Sequence, residues 1–310
     1  MFKAGFKFLL FAGVISLLLF YLNNCSNPLE APENIFVEFP ASHPPEGMQL
    51  FHISTGVNHR TAAFAYRGGS FFDKRDFAMS AVLVKHPKGN LLIDTGFGNH
   101  IREHFQTMPL YFRMTTDFQP GASAAAQLHS KGYPLDSVSA ILLTHAHWDH
   151  VSGIPDFGNT PVLVTTEELK YIRSEEKLSA LARSFKNAKY TTYQFQDIPY
   201  LNFSVSRDLY GDGSVVIVPS VGHTPGSIII FVNLPSGERY AFIGDLAWQL
   251  EGVTQLEERP WIQSFLADSD EKAIQKNLKR VYALHKKFPD LRIVPAHDSR
   301  AYEHMNQWSE

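Results

Sequence analysis

The heptapeptide Thr144-His145-Ala146-His147-Trp148-Asp149-His150 constrains this chain more tightly than any other feature of its sequence. It follows directly on the apolar run 138–143, which reads as a short buried strand. A strand end delivers side chains into a crevice, where α/β proteins usually place their sites. His145 and His147 alternate as strand residues do and so point to one side. Asp149 and His150 fall on the following turn and aim at a neighbouring point. One short loop thus serves two cations about 3.5–4 Å apart, the spacing of paired-metal hydrolases. The plain alternative is a histidine-rich surface turn, which would need this spacing by chance directly after a buried strand.

The donor set follows from composition. The chain has 14 histidines and a single cysteine. Cys25 has no partner for an internal disulfide, and any metal site must use nitrogen and oxygen ligands. A length of 310 residues allows a substantial core. The net charge of −3 offers no basic excess for nucleic acid, which is not an expected partner.

Residues 1–25 read as a secretory signal or an uncleaved membrane anchor. Lys3 and Lys7 precede the apolar run 8–22, and polar Asn23-Asn24 follows. The run is long for a signal core and slightly short for a spanning helix. Cys25 sits where a lipidated cysteine can lie, though without the usual small residues before it; otherwise it is an unpaired surface thiol. Each reading exports the rest of the chain, to the periplasm or to a membrane-anchored position outside the cytoplasm. Residues 26–47, with Pro28, Pro32, Pro40, Pro44 and Pro45, read as an extended tether without packed structure. The catalytic domain is then 48–310.

Within that domain the pattern predicts strands at 48–53, 61–66, 80–85, 90–94, 138–143, 161–165, 202–207, 214–219, 227–233, 240–244 and 291–295. Helices are predicted at 121–131, 166–174, 178–186, 269–287 and 299–308. Residues 90–96 and 240–246 resemble each other, each an apolar strand ending in aspartate near glycine. Two similar halves placed face to face account for this.

The motif then becomes specific. Thr-His-x-His-x-Asp-His after an apolar strand resembles the metallo-β-lactamase-fold hydrolases, whose fold is a four-layer αββα sandwich of two similar halves. That family also uses a distant histidine, aspartate and final histidine on strand-end loops. His223 in Gly222-His223-Thr224-Pro225-Gly226, Asp245 after 240–244, and His297 after 291–295 stand in that order. The resemblance implies that His145, His147 and His223 bind one metal and that Asp149, His150 and His297 bind a second. Asp245 would bridge them, with Asp149 and Asp245 also the catalytic carboxylates. Asp94 in Asp94-Thr95-Gly96 would support the metal loop. Two zinc ions suit this donor set; iron or manganese would also accept it. The implied chemistry is attack by a metal-bound hydroxide on a carbonyl or phosphoryl centre.

Among the branches, Asp245 argues against antibiotic-cleaving class B enzymes, which lack the bridging aspartate. Ser227 replaces the last histidine of the Gly-His-Thr-x-Gly-His motif of glyoxalase II-type thioesterases. The most similar branch holds N-acyl homoserine lactone lactonases and phosphotriester hydrolases, through Gln119-Pro120-Gly121 and the His297-Asp298 pair. Asp298 caps the last helix or orients a histidine. The lactonases carry a tyrosine three residues after the bridging aspartate; this chain has Trp248, either a core residue or the wall of an apolar pocket. Trp148 is read as a pocket rim. The expected partner is a small lactone or ester; the alternatives are a phosphoester, a glyoxalase II-like thioester, or metal binding without turnover. The sequence leaves the oligomeric state, including a homodimer, open. His100, His104, His129, His285 and His304 are expected to be replaceable.

Overall fold

A computed structural model describes residues 22–33, 35 and 37–308. Most of the apolar run 8–22 lies outside them. Among the described residues no helix is long and apolar enough to cross a membrane.

The strands are β1 (Gln49–Thr61), β2 (Lys74–Lys85), β3 (Asn90–Ile93), β4 (Phe118–Pro120), β5 (Val138–Leu142), β6 (Pro161–Thr165) and β7 (Lys189–Tyr193), then β8 (Arg207–Asp208), β9 (Val215–Pro219), β10 (Ile228–Asn233), β11 (Arg239–Gly244), β12 (Leu291–Pro295) and β13 (Asn306–Gln307). One sheet runs β13-β1-β2-β3-β5-β6-β7, with β4 added on β1; the other runs β12-β11-β10-β9-β8. Strand alternation builds the layers. On β10, Ile228, Ile230 and Val232 meet Val82, Val84, Leu91 and Ile93 of the first sheet. Ile229 and Phe231 face the opposite way, against Ile274, Leu278 and Val281 of helix Glu271–Lys287. The first sheet's outer face packs Ile141, Val162 and Val164 against Leu128, Ile172 and Leu181 of its own helices. The result is helix, sheet, sheet, helix, and it explains why the central strands read as unbroken apolar runs.

Topology places the site. β3 and β5 are parallel neighbours in one sheet, and β11 and β12 in the other. Their carboxyl ends release Asp94, the 144–150 loop, Asp245 and His297. Ile228 N donates to Thr144 O at 3.1 Å, which fastens the two sheets together at that edge.

Several local expectations differ. β1 continues to Thr61, and the predicted strand 61–66 is instead the helical turn Ala62–Ala65. Its three alanines favour helix over strand, and the turn lets the chain reverse into β2. The predicted strand 202–207 is largely a local turn. Tyr200 and Phe203 exchange backbone hydrogen bonds around Leu201, which has φ of 51°, and Asn202 donates to Arg280 O. The predicted helix 299–308 shrinks to the 3-10 turn Ser299–Tyr302, capped by Asp298, and then becomes β13. The segment 26–47 is not a free tether. Leu29, Ile35, Val37 and Phe39 pack on the second core, and Phe39 meets Phe288 edge-on at 4.9 Å. β7 and helices Leu110–Thr115 and Trp261–Ala267 carry no strong periodicity and escape a reading by pattern.

His52 pins the chain's last strand to β1. Its ring bonds Gln307 Oε1 at 2.7 Å and Ser80 Oγ at 2.8 Å and stacks on Tyr302. Burial pushes its pKa down to about 4, with the Gln307 bond opposing. The fold therefore holds the neutral ring, while the unfolded chain takes up a proton near about pH 6.5. Stability from this residue is present above about pH 6.5 and is lost as pH falls towards about 4, by up to about 3 kcal/mol. Urea titrations across that window are expected to show a steeper fall in wild type than in His52→Asn; parallel curves would remove His52 as the cause.

Candidate metal centre

The seven residues singled out from the sequence converge. His145 and His147 leave β5, while Asp149 and His150 sit in the short helix Trp148–Val151. His223 lies in the β9–β10 loop, and Asp245 and His297 follow β11 and β12. Ligand atoms of His145, His147 and His223 lie within 4.8 Å of one another, as do those of Asp149, His150 and His297. Asp245 stands between the groups. Its Oδ2 is 3.4 Å from His223 Nε2 and 4.0 Å from His145 Nε2; its Oδ1 is 3.4 Å from His150 Nε2 and 3.2 Å from His297 Nε2. Asp149 Oδ2 lies 3.5 Å from His297 Nε2.

These atoms lack protein partners in a way that fits cations. His145 Nε2, His150 Nε2, His223 Nε2 and Asp245 Oδ1 are buried without a hydrogen bond. Buried polar atoms are seldom left so, and four aimed at one space are suited to metal ions. Imidazole and carboxylate donors match zinc, with iron or manganese compatible.

Four of the imidazoles are held by further partners. Asp94 Oδ2 meets His150 Nδ1 at 2.7 Å and accepts from Thr144 Oγ1 at 2.7 Å; its Oδ1 accepts from Thr144 N. Asp268 Oδ1 lies 2.8 Å from His223 Nδ1 and also accepts from Arg259. Arg259 Nη1 is 2.9 Å from that same ring nitrogen, but a guanidinium cannot accept, so the His223 proton goes to Asp268. His297 Nδ1 donates to Ala78 O, and the Tyr171 hydroxyl meets His147 Nε2 at 3.1 Å, which leaves Nδ1 as the nitrogen His147 can offer. Such partners set ring orientation and tautomer.

Glu168, Asp268 and Arg259 were not singled out from the sequence. Glu168 is buried and ties two ligand loops: Oε1 accepts from Ala146 N at 2.6 Å, and Oε2 from Thr224 Oγ1 at 2.6 Å and Gly226 N at 3.0 Å. Burial raises its carboxyl to about 7, although all three donors favour the charged form. Gly226 is required there, because a Cβ would lie 2.3 Å from Glu168 N. Ser227 Oγ is occupied by Thr224 N and Oγ1. Asp298 caps its turn, accepting from Arg300 N at 3.2 Å and Leu250 N at 2.9 Å, and does not bond a histidine ring. His104 is not an idle surface residue; its Nδ1 meets Ser152 Oγ at 3.0 Å.

The electrostatics call for positive charge. Burial holds His145 and His147 well below the usual imidazole range, and the other rings add to it. Burial also opposes a proton on His150 and His297, but there Asp94, Asp245 and Asp149 outweigh it and raise His150 strongly. Asp245 is held well below the carboxylate range, because His297, His150 and His145 overcome the effect of burial.

The cluster opens into a cavity of about 560 Å³, walled by Phe64, Phe77, Met79, Trp148 and Trp248. Trp248 is both core and wall. It stacks on Phe64 at 5.2 Å, carries the Arg259 guanidinium over its ring, and donates Nε1–H to Asp245 Oδ2 at 2.8 Å. Trp148, 3 % exposed, is a buried wall packed on Phe97 and Phe105 and not an open rim.

A two-sheet sandwich whose strand ends gather five imidazoles and two carboxylates before an apolar cavity defines a metal-dependent hydrolase. The sequence pattern of the Metallo-beta-lactamase superfamily matches residues 75–297, and the chain belongs to that superfamily. A probable metallo-hydrolase of Mycobacterium tuberculosis is 28% identical over 238 residues, 72% of this chain and 75% of the relative. The N-acyl homoserine lactonase AttM of Agrobacterium fabrum is 24% identical over 234 residues, 74% of this chain and 84% of its own. Among solved structures, an N-acyl homoserine lactone hydrolase with N-hexanoyl-L-homoserine at its catalytic metal centre superposes with TM-score 0.66 at 17% identity, over 84% of this chain and 98% of that one.

Glu168→Gln replaces an acceptor oxygen with an amide N–H that faces a backbone or hydroxyl donor. Unfolding free energy is expected to fall by about 1–3 kcal/mol, and zinc affinity by about 10–100-fold. Denaturant titration and a competitive zinc titration measure both; wild-type values would show that Glu168 does not hold the loops in register.

Proposed function

We propose that this chain is a dinuclear hydrolase of small, partly apolar lactones or esters, exported from the cytoplasm as its N-terminal sequence implies. The observation that carries this reading is the convergence of His145, His147, Asp149, His150, His223, Asp245 and His297, with Asp149, Asp245 and three of the histidines lining an apolar-walled cavity. When bound, paired divalent cations lower the pKa of water and polarise a carbonyl oxygen. The chain's own part is to bind and orient the substrate and to move a proton. Phe64, Phe77 and Trp248 offer an apolar wall to an acyl chain. Asp149, at the edge of the cluster, is placed to take a proton from attacking water and return it to the leaving alkoxide. The names of the AttM relatives and the homoserine product in the solved neighbour support lactones as the substrate class.

One observation favours a second reading, a phosphotriester hydrolase. Trp248 stands where the lactonases carry tyrosine, and its only donor is already given to Asp245. No phenol at that position is left to assist a lactone's leaving oxygen.

Rates of the zinc-loaded protein on an acyl homoserine lactone, an aryl ester and an aryl phosphotriester separate these readings. The proposal expects lactone turnover to lead by about 100-fold in kcat/KM, roughly 3 kcal/mol of transition-state preference. A reversed order establishes the second reading, and no turnover on any of them ends both.

Asp149→Ala and His150→Ala are expected to keep the wild-type circular dichroism, to lose about one metal equivalent and to slow hydrolysis by about 100-fold or more. Metal analysis beside the assay checks this. Wild-type rates in either variant would refute the second metal position.

A further inference from the structure

Two helices that line the cavity also carry exposed apolar side chains. On helix Trp261–Ala267, Trp261 is 47% and Phe265 81% exposed. Leu110 is 63% and Met114 76% exposed on helix Leu110–Thr115. Each pair is four residues apart and so shares a helix face. The inner sides of the same helices, Tyr111 and Ile262 among them, line the cavity. Phe72, at the tip of the neighbouring 67–72 loop, is 96% exposed. The segment 261–267 carries no charged residue.

The N-terminal segment says what covers these side chains. Ile262 N donates to Asn23 Oδ1 at 2.9 Å, Gly68 N to Asn24 O at 2.8 Å, and Arg67 Nε to Cys25 O at 3.0 Å. Ser26 Oγ and Asn27 N both bond the Glu257 carboxylate. Residues 23–27 are thus fastened to helix Trp261–Ala267 and to the Phe72 loop, with no slack between them. In sequence they directly follow the apolar run 8–22. Retained, an apolar run of 15 residues is long enough to insert into a bilayer though short for a full span. Its exit point, one hydrogen bond from Ile262, then holds these side chains at the bilayer surface, the depth that tryptophan and phenylalanine favour.

We infer that the N-terminal run is retained as a membrane anchor and that the exposed apolar side chains of helices Trp261–Ala267 and Leu110–Thr115 and of the Phe72 loop contact the bilayer, which seats the cavity mouth on that membrane. This surface does not depend on what the cavity hydrolyses.

The test uses the full chain in phosphatidylcholine–phosphatidylglycerol vesicles. In a Cys25→Ser background, a bimane label is placed on Phe265→Cys, on Met114→Cys, or on Ser236→Cys in the β10–β11 turn at the far end of the strands. Quenching by nitroxide-labelled lipid is expected to be at least about twofold stronger at 265 and 114 than at 236. Equal quenching at the three positions overturns the inference. So does a label at 265 that is shielded from aqueous iodide yet untouched by the nitroxide lipid, because protein would then cover that position. All three positions are exposed, so the labels leave the fold undisturbed.

Discussion

The Asp245 carboxylate is buried, its Oδ1 has no hydrogen bond, and four imidazole Nε2 atoms stand 3.2 to 4.0 Å from its oxygens. An arrangement of this kind is costly without positive charge, since an uncompensated buried ion costs several kcal/mol. Protonation can supply part of this charge at His150 and His297, which the carboxylates raise, but burial holds His145 and His147 neutral. Cations shared among the seven ligands satisfy the same atoms without that conflict. The need for them explains why carboxylates and imidazoles are interleaved around one point.

The rest of the structure serves that arrangement. Parallel neighbours in each sheet send their carboxyl ends to a common edge, so residues some 150 positions apart in the chain meet there. The Ile228–Thr144 backbone bond closes the sheets at that edge, and buried Glu168 bridges the 146 and 224–226 loops. Asp94 and Asp268 orient the rings from behind. The apolar cavity begins where this polar shell ends, with Trp248 belonging to both through its ring and its indole N–H.

Much of this was legible in the sequence because the signals were local. The spacing of 144–150 reveals itself within a few residues, and the family resemblance it carries then pointed to His223, Asp245 and His297 on their strand-end turns. The two halves were suggested by the likeness of 90–96 to 240–246, and the αββα layering was what the family resemblance implied. What escaped has no local signature. Glu168 stands three residues after Thr165, a pattern that helix capping explains, and Thr165 does accept from Glu168 N. Its carboxylate, however, reaches a loop 22 residues away. The turn at 62–65 was misread because its apolar alternation looked like a strand although its alanines favour helix, and the strand at 306–307 because pairing with β1 overrides propensity. The proline-rich run was read as loose because proline marks extension, and its few apolar residues gave no period by which to see them packed.

Anomalous diffraction at the zinc edge from crystals of the metal-loaded protein tests the account most directly. It predicts two peaks, one among His145, His147 and His223 and one among Asp149, His150 and His297, with Asp245 between them. A single peak, or a peak away from this cluster, would contradict it.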